Sequence, residues 1–203
     1  MSAATPWIKI CGMTAPEAVA AALAARVDAI GFVFAESPRR LTPQRAAQLA
    51  AAARGRLRCV AVTRHPSQTE VDEILGEFRP DVLQTDIEDL RLLKLPRQLE
   101  ILPVLRSVPV LSRDLPPRLL FEGPRSGAGE PCDWGSAREL GRNTQLILAG
   151  GLNAENVAAA IAAVAPFGVD VSSGVEGRLG SKSPAKISRF VEAVRAIQQE
   201  HLP

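Results

Sequence analysis

The motif Lys9-Ile10-Cys11-Gly12 sets a thiol two residues from an ammonium group. In an extended strand successive side chains alternate, so Lys9 and Cys11 share a face. A cation so placed favours the thiolate, the form in which cysteine acts as a base or nucleophile. Without that neighbour, a cysteine at the end of an apolar run reads as a small buried hydrophobe. Other ionisable groups also sit at the ends of apolar runs: Asp86 after Gln84-Thr85, Glu122 after Leu119-Leu120-Phe121, and Asp170 between Val169 and Val171. Two small-residue turns complete the set, Ala149-Gly150-Gly151-Leu152-Asn153 and Ser172-Ser173-Gly174-Val175-Glu176. Glycine lets backbone approach a ligand closely, and N–H groups at helix starts attract anions. One Gly-Gly turn says little, because tight turns use glycine anyway. Two such turns in neighbouring units point to a phosphate site formed by Gly150, Gly151, Ser172, Ser173 and Gly174.

These residues need elements to position them, and the chain supplies alternating ones. Strands are expected at Trp7–Cys11, Ala29–Phe34, Leu57–Thr63, Asp81–Thr85, Glu100–Val104, Arg118–Glu122, Gln145–Ala149 and Gly168–Ser172. Helices between them start behind recognisable caps. Thr14 with Glu17 and Ser67 with Glu70 have capping-box spacing, Thr42-Pro43 and Ser183-Pro184 place proline at the first helical position, and Asn153 can cap the segment after Gly151. The stretch Arg106–Pro117 is poor in helix signal, so the fifth connection is expected to be short or irregular. Eight strands alternating with helices imply parallel pairing. With 203 residues, each unit has about 25, close to a strand, a helix and two short connections. The expected fold is α/β, a single minimal (β/α)₈ barrel over residues 1–203. A doubly wound sheet is the alternative, but its glycine-rich fingerprint is missing after the first strand.

In such a barrel the C-terminal strand ends form the active site. The alternation within strands then points Lys9, Cys11, Gln84, Asp86, Leu120, Glu122, Asp170 and Ser172 inward, and Ile8, Ile10, Leu119, Phe121, Val169 and Val171 toward the helices. So many converging charges must be mutually paired or solvated in a working pocket.

Composition narrows the classes further. The chain is 46% hydrophobic and 23% charged, with 24 basic against 22 acidic residues, as in a globular protein. A net charge of +2, 4% aromatic residues and no tyrosine argue against nucleic-acid binding. The longest apolar runs fall short of the ~18 residues that a membrane span needs. No signal peptide is visible at the N-terminus. Cys11, Cys59 and Cys132 are odd in number and widely spaced, which fits reduced thiols in a cytoplasmic protein.

Lys9-Ile10-Cys11-Gly12-Met13-Thr14, Gly31-Phe32-Val33-Phe34 with Ser37-Pro38-Arg39, Leu148-Ala149-Gly150-Gly151-Leu152-Asn153, and Gly168 through Glu176 resemble the signature segments of phosphoribosylanthranilate isomerase. They occur in order and span almost the whole chain. The resemblance implies a cofactor-free barrel of tryptophan biosynthesis, acting on a small phosphorylated molecule as a monomer or homodimer. Its reaction is the Amadori rearrangement of N-(5-phosphoribosyl)anthranilate to 1-(2-carboxyphenylamino)-1-deoxyribulose 5-phosphate. By the same resemblance Cys11 is the general base, acting as a thiolate, Arg39 receives the anthranilate carboxylate, and Lys9 and Asp170 belong to the substrate site.

The acid is where the sequence departs from the family pattern, which ends the sixth strand with Asp. Here Glu122 takes that place and is assigned as general acid, with Asp133 as runner-up in the Asp133-Trp134 pair, where capping a helix is the competing role. To hold a proton it would need a raised pKa. Asp86 stands where the family commonly has His, and the Thr63-Arg64-His65-Pro66 loop is atypical. His65 and His201 are expected at the surface, and no metal is expected. A lyase resembling indole-glycerol-phosphate synthase and a sugar-phosphate epimerase are the nearest enzymatic rivals; the epimerase would want metal-binding histidines, and the chain has two histidines in all. A catalytically silent phosphate-binding barrel is the non-enzymatic one.

Overall fold

The computed structural model describes residues 5–107, 115–123 and 132–197. Eight parallel strands close into a barrel: β1 (Trp7–Cys11), β2 (Ala29–Val33), β3 (Arg58–Val62), β4 (Val82–Asp86), β5 (Glu100–Leu105), β6 (Arg118–Phe121), β7 (Gln145–Leu148) and β8 (Gly168–Val171). All eight expected strands form, and their ends differ from the expected ones by a residue or so. Closure pairs β1 with β8, setting Lys9 opposite Asp170.

Alternation along the strands separates two apolar layers. Ala29, Val60, Val82, Leu102, Val104, Leu120, Ile147 and Ala149 pack inside the barrel. Ile8, Ile10, Leu119, Phe121, Val169 and Val171 belong to the outer core, packed with residues of the helices. The helices are α1 (Pro16–Ala24), α2 (Pro43–Ala50), α3 (Gln68–Glu73), α4 (Trp134–Gly141), α5 (Val157–Val164) and α6 (Pro184–Ala196). No helix among the described residues is long and apolar enough to cross a membrane.

The Ser67–Glu70 capping box is present, and the Thr42 and Ser183 hydroxyls cap α2 and α6 behind their prolines. Thr14 behaves differently. Helix α1 starts after Ala15 without a side-chain cap, and the Thr14 hydroxyl donates to the carbonyl of Gly180 at 2.8 Å. A tertiary partner has taken the oxygen that the local motif assigned to the helix. Asn153 accepts from the N–H groups of Glu155 and Asn156, capping the turn that precedes α5.

The fourth connection carries only a 3₁₀ turn, Asp89–Arg91. Most of the expected irregular fifth connection, residues 108–114, lies outside the described residues. A feature with no strand signature in the sequence follows β8: a 3₁₀ turn, Ser173–Val175, leads into a small antiparallel hairpin of β9 (Glu176–Arg178) and β10 (Ser181–Lys182).

Candidate active site

Cys11 ends β1 and is 6% exposed, while Lys9 below it is sealed from solvent and donates to Asp170 Oδ1 at 2.9 Å. Gly31 on the neighbouring strand leaves the space these groups occupy, since a Cβ there would stand 3.0 Å from Cys11 Sγ and 3.2 Å from Lys9 Cε. Lys9, expected among the substrate-site residues, does not line the cavity described below; its charge reaches the site through Asp170 and Cys11. Burial works against the Lys9 ammonium, but the Asp170 carboxylate and Cys11 outweigh it and push its pKa up. The Cys11 thiol is pushed up too, by burial, which exceeds the opposing pull of Lys9 and Lys182. Two nearby ammonium groups thus do not make Cys11 a resting thiolate. The expectation from spacing alone omitted the cost of desolvation.

Glu122 follows β6, its N–H bonded to the carbonyl of Leu105 at 3.1 Å. Its carboxylate pairs with Nη1 of Arg106, at the end of β5. Arg106 also grips Asp86 at the end of β4, with Nε 2.9 Å from Oδ1 and Nη2 2.7 Å from the same atom. Burial disfavours the Arg106 guanidinium, but Asp86 and Glu122 hold its pKa above the ordinary value. Arg106 had no role in the sequence reading, although its place was legible: Leu102 and Val104 point inward, so position 106 does too. Asp133 is fully solvent-facing and caps α4, accepting from the N–H groups of Gly135 and Ser136; hydrogen bonds led by the Ser136 hydroxyl hold its carboxyl below the usual range.

Arg39 lies in the loop after β2. Its Nε donates to Glu176 Oε1 at 2.6 Å and its Nη2 to Oε2 at 3.1 Å, with both side chains buried. Lys182 Nζ meets the same carboxylate at 2.9 Å and also the carbonyl and hydroxyl of Ser172, at 3.1 and 3.2 Å. Burial raises the Glu176 carboxyl, but hydrogen bonds from Arg39 and Lys182 override it and lower the pKa. Burial pulls the Lys182 ammonium down despite Glu176. Glu176 stood in a recognised segment without an assigned role. Lys182 carried no signal, because the hairpin that delivers it has no apolar alternation.

Gly150 and Gly151 both have positive φ, 90° and 64°, as their tight turn requires. Gly174 packs against the loop after β7 so closely that a Cβ would fall 2.0 Å from the carbonyl oxygen of Leu152. No hydrogen bond within the described residues takes up the backbone N–H groups of Gly150, Gly151, Ser173 or Gly174. The five residues expected to hold phosphate thus form two adjoining turns with donors to offer.

Cys11, Glu122, Asp170, Arg39 and Ser172 line one cavity of about 140 Å³, with Gln84 and Arg106. The buried Gln84 Oε1 has no hydrogen-bond partner, so the cavity can satisfy a donor on a ligand. A larger cavity of about 600 Å³ adjoins it, sharing Ala35, Glu36, Thr63 and Arg64. His65 is largely exposed, as expected; His201 lies outside the described residues. Ligand atoms of His65, Asp86 and Asp89 come within 4.8 Å of one another. Asp86 is occupied by Arg106, however, and Asp89 accepts from Thr85 Oγ1 and the His65 N–H, so the cluster reads as a hydrogen-bonded network.

A thiol and a carboxyl group lining one cavity, which Ser172 in the turn after β8 also reaches, are groups that acid–base chemistry requires. Comparison with known proteins agrees. Residues 8–193 match the family model of N-(5'phosphoribosyl)anthranilate (PRA) isomerase. The N-(5'-phosphoribosyl)anthranilate isomerase of Rhizobium rhizogenes is 37% identical, with 93% of this chain and 94% of the relative covered. The enzyme of the same name from Rhizobium johnstonii is 39% identical at the same coverage. Among solved structures, TrpF from Jonesia denitrificans is 34% identical with a TM-score of 0.79, covering 95% of this chain and 98% of its own. Monomers generated from the dimeric phosphoribosylanthranilate isomerase of Thermotoga maritima superpose with a TM-score of 0.80 at 26% identity, covering 94% of this chain and 99% of theirs. This chain belongs to the N-(5'-phosphoribosyl)anthranilate isomerase family.

Proposed function

We propose that the protein catalyses the Amadori rearrangement of N-(5'-phosphoribosyl)anthranilate to 1-(2-carboxyphenylamino)-1-deoxyribulose 5-phosphate, with Glu122 as general acid and Cys11 as general base. The observation that carries this reading is that both side chains line one cavity, beside two turns with backbone donors to offer.

The phosphate docks on the turns at Gly150-Gly151 and Ser172-Ser173-Gly174. The smaller cavity holds the ribose carbons, and the adjoining larger one leaves room for the aromatic ring. Arg39 presents Nη1, the guanidinium nitrogen that Glu176 does not use, to the anthranilate carboxylate. Glu122 delivers its proton to the furanose oxygen as the bond from that oxygen to C1′ breaks, and the aryl nitrogen lone pair forms the C1′=N iminium. Cys11 then removes the proton from C2′, and the C2′–H electron pair neutralises the iminium to give the enolamine. Transfer of a proton from the C2′ hydroxyl to C1′ completes the ketone, so one proton enters at the ring oxygen and one leaves C2′.

The resting arrangement, a thiol at Cys11 and an ion-paired Glu122, contains as many protons as the working one, a thiolate and a protonated Glu122. Only the location of one proton differs. The iminium cation formed next to Cys11 adds to Lys9 and Lys182 in favouring the thiolate at the moment it is needed. Disappearance of phosphoribosylanthranilate fluorescence on adding the purified protein tests the activity. An unchanged signal at micromolar enzyme would refute it.

A further inference from the structure

Glu122 is held from a neighbouring strand end. Arg106 at the end of β5 donates to its Oε1, and Arg106 is itself fixed by Asp86 at the end of β4, through Nε to both carboxylate oxygens at 2.9 and 3.0 Å and Nη2 to Oδ1 at 2.7 Å. Three successive strands thus each contribute one member of a charged row, of which Arg106 and Glu122 line the cavity, at 16% and 12% exposure, and Asp86 is the most buried, at 4%.

We infer that Arg106 is a positioning residue for Glu122, steered in turn by Asp86: the guanidinium holds the Glu122 carboxyl group at the strand end from which the proton is delivered. The inference rests on the reading of Glu122 as general acid. A glutamate has one more rotatable bond than an aspartate, and a proton donor misplaced by about 1 Å loses much of its rate advantage. A donor on a fixed strand end removes that freedom.

Charge explains why two acids share one arginine. A buried guanidinium facing Glu122 alone would be left uncompensated whenever Glu122 took up its proton, and unpaired buried charge is costly. Asp86 supplies the missing negative charge permanently, so the row is neutral with Glu122 protonated and carries one negative charge when the proton has been given away. Among the described residues, Arg64 at 3.8 Å and His65 at 3.7 Å from Asp86 also face the row; they are 47% and 65% exposed and add little.

A double-mutant cycle on the purified enzyme tests this. Glu122→Gln alone is expected to lower kcat by about 10²–10⁴-fold. Arg106→Gln alone is expected to lower kcat on the order of 10- to 100-fold, while KM moves by less than about threefold. Combined with Glu122→Gln, Arg106→Gln should cost less than about twofold more, because its effect runs through the acid. Should Arg106→Gln fail to fold by circular dichroism, Asp86→Asn carries the same cycle, with the same direction and the same lack of additivity expected. If Glu122→Gln is impaired while Arg106→Gln keeps wild-type kcat, or if the two losses multiply in full, the positioning role is overturned and the acid stands. Wild-type kcat in Glu122→Gln overturns the acid reading and the inference with it.

Discussion

Arg39 and Glu176 lie side by side with two parallel hydrogen bonds, Nε to Oε1 at 2.6 Å and Nη2 to Oε2 at 3.1 Å, both side chains almost fully buried. One is in the loop after β2 and the other starts the hairpin after β8, so the pair ties opposite flanks of β1 together. Fork-to-fork geometry fixes the guanidinium plane as well as its position.

That relationship separates two substitutions at one site. Arg39→Ala removes the carboxylate partner and should raise KM by about 10-fold or more, consistent with loss of a charged hydrogen bond worth ~1.5–3 kcal/mol, with a smaller change in kcat. Glu176→Gln keeps the arginine but loosens its aim and leaves Lys182 beside it unneutralised. It should raise KM and also lower the thermal midpoint, a double effect that steady-state kinetics and a melting curve would separate.

Cys11→Ala should abolish turnover while product still binds, because the C2′ proton then has no acceptor. Isothermal titration with the product would show binding within about threefold of wild type. Wild-type kcat would remove the base assignment.

Asp133→Asn is the control for the acid. Its carboxylate caps α4 in full solvent exposure, and asparagine caps a helix about as well, so the variant should fold as wild type does and keep kcat within about twofold of wild type. A loss of several hundred-fold in this variant, with Glu122→Gln active, would transfer the acid's role.

Cys59 gives a pH signature unrelated to catalysis. Burial raises its thiol from 9.0 to about 11. Below pH 9 folded and unfolded chains both keep the proton and the residue adds no pH dependence. Between pH 9 and 11 the unfolded chain releases it and the folded one does not, so folding loses stability as pH rises, and the loss levels off above the folded value. Cys59→Ala creates a small cavity and should melt lower than wild type at pH 7. The gap should narrow between pH 9 and 10.5, and a gap constant with pH would contradict the burial of a protonated thiol.

Much of the site was legible because a strand's period of two is nearly independent of context. Knowing that Ile8 and Ile10 face the helices places Lys9 and Cys11 inside, and the same rule sets Glu122 and Asp170 at the mouth. The protonation of Cys11 was not legible, since spacing reveals the nearby Lys9 but not the cost of taking a thiolate out of water. Thr14 failed for a related reason. A capping box is a local pattern, and it cannot register that Gly180, far along the chain, competes for the hydroxyl. Lys182 was invisible because its hairpin is too short and too polar to show a period.

That hairpin also acts as a gauge. Ser173 and Gly174, at the proposed phosphate turn, and Glu176, which aims Arg39, fall within four consecutive residues; Gly174 packs against Leu152, and Thr14 holds the hairpin's turn at Gly180. On the proposed function, the separation between the substrate's phosphate and carboxylate would then be measured by one short stretch of backbone. Lengthening this stretch by a residue would mismatch both grips at once, whereas a change in any other loop would disturb one at a time. On the proposed function, discrimination by molecular length, between substrates whose phosphate and carboxylate stand at different spans, would rest on residues 173–176.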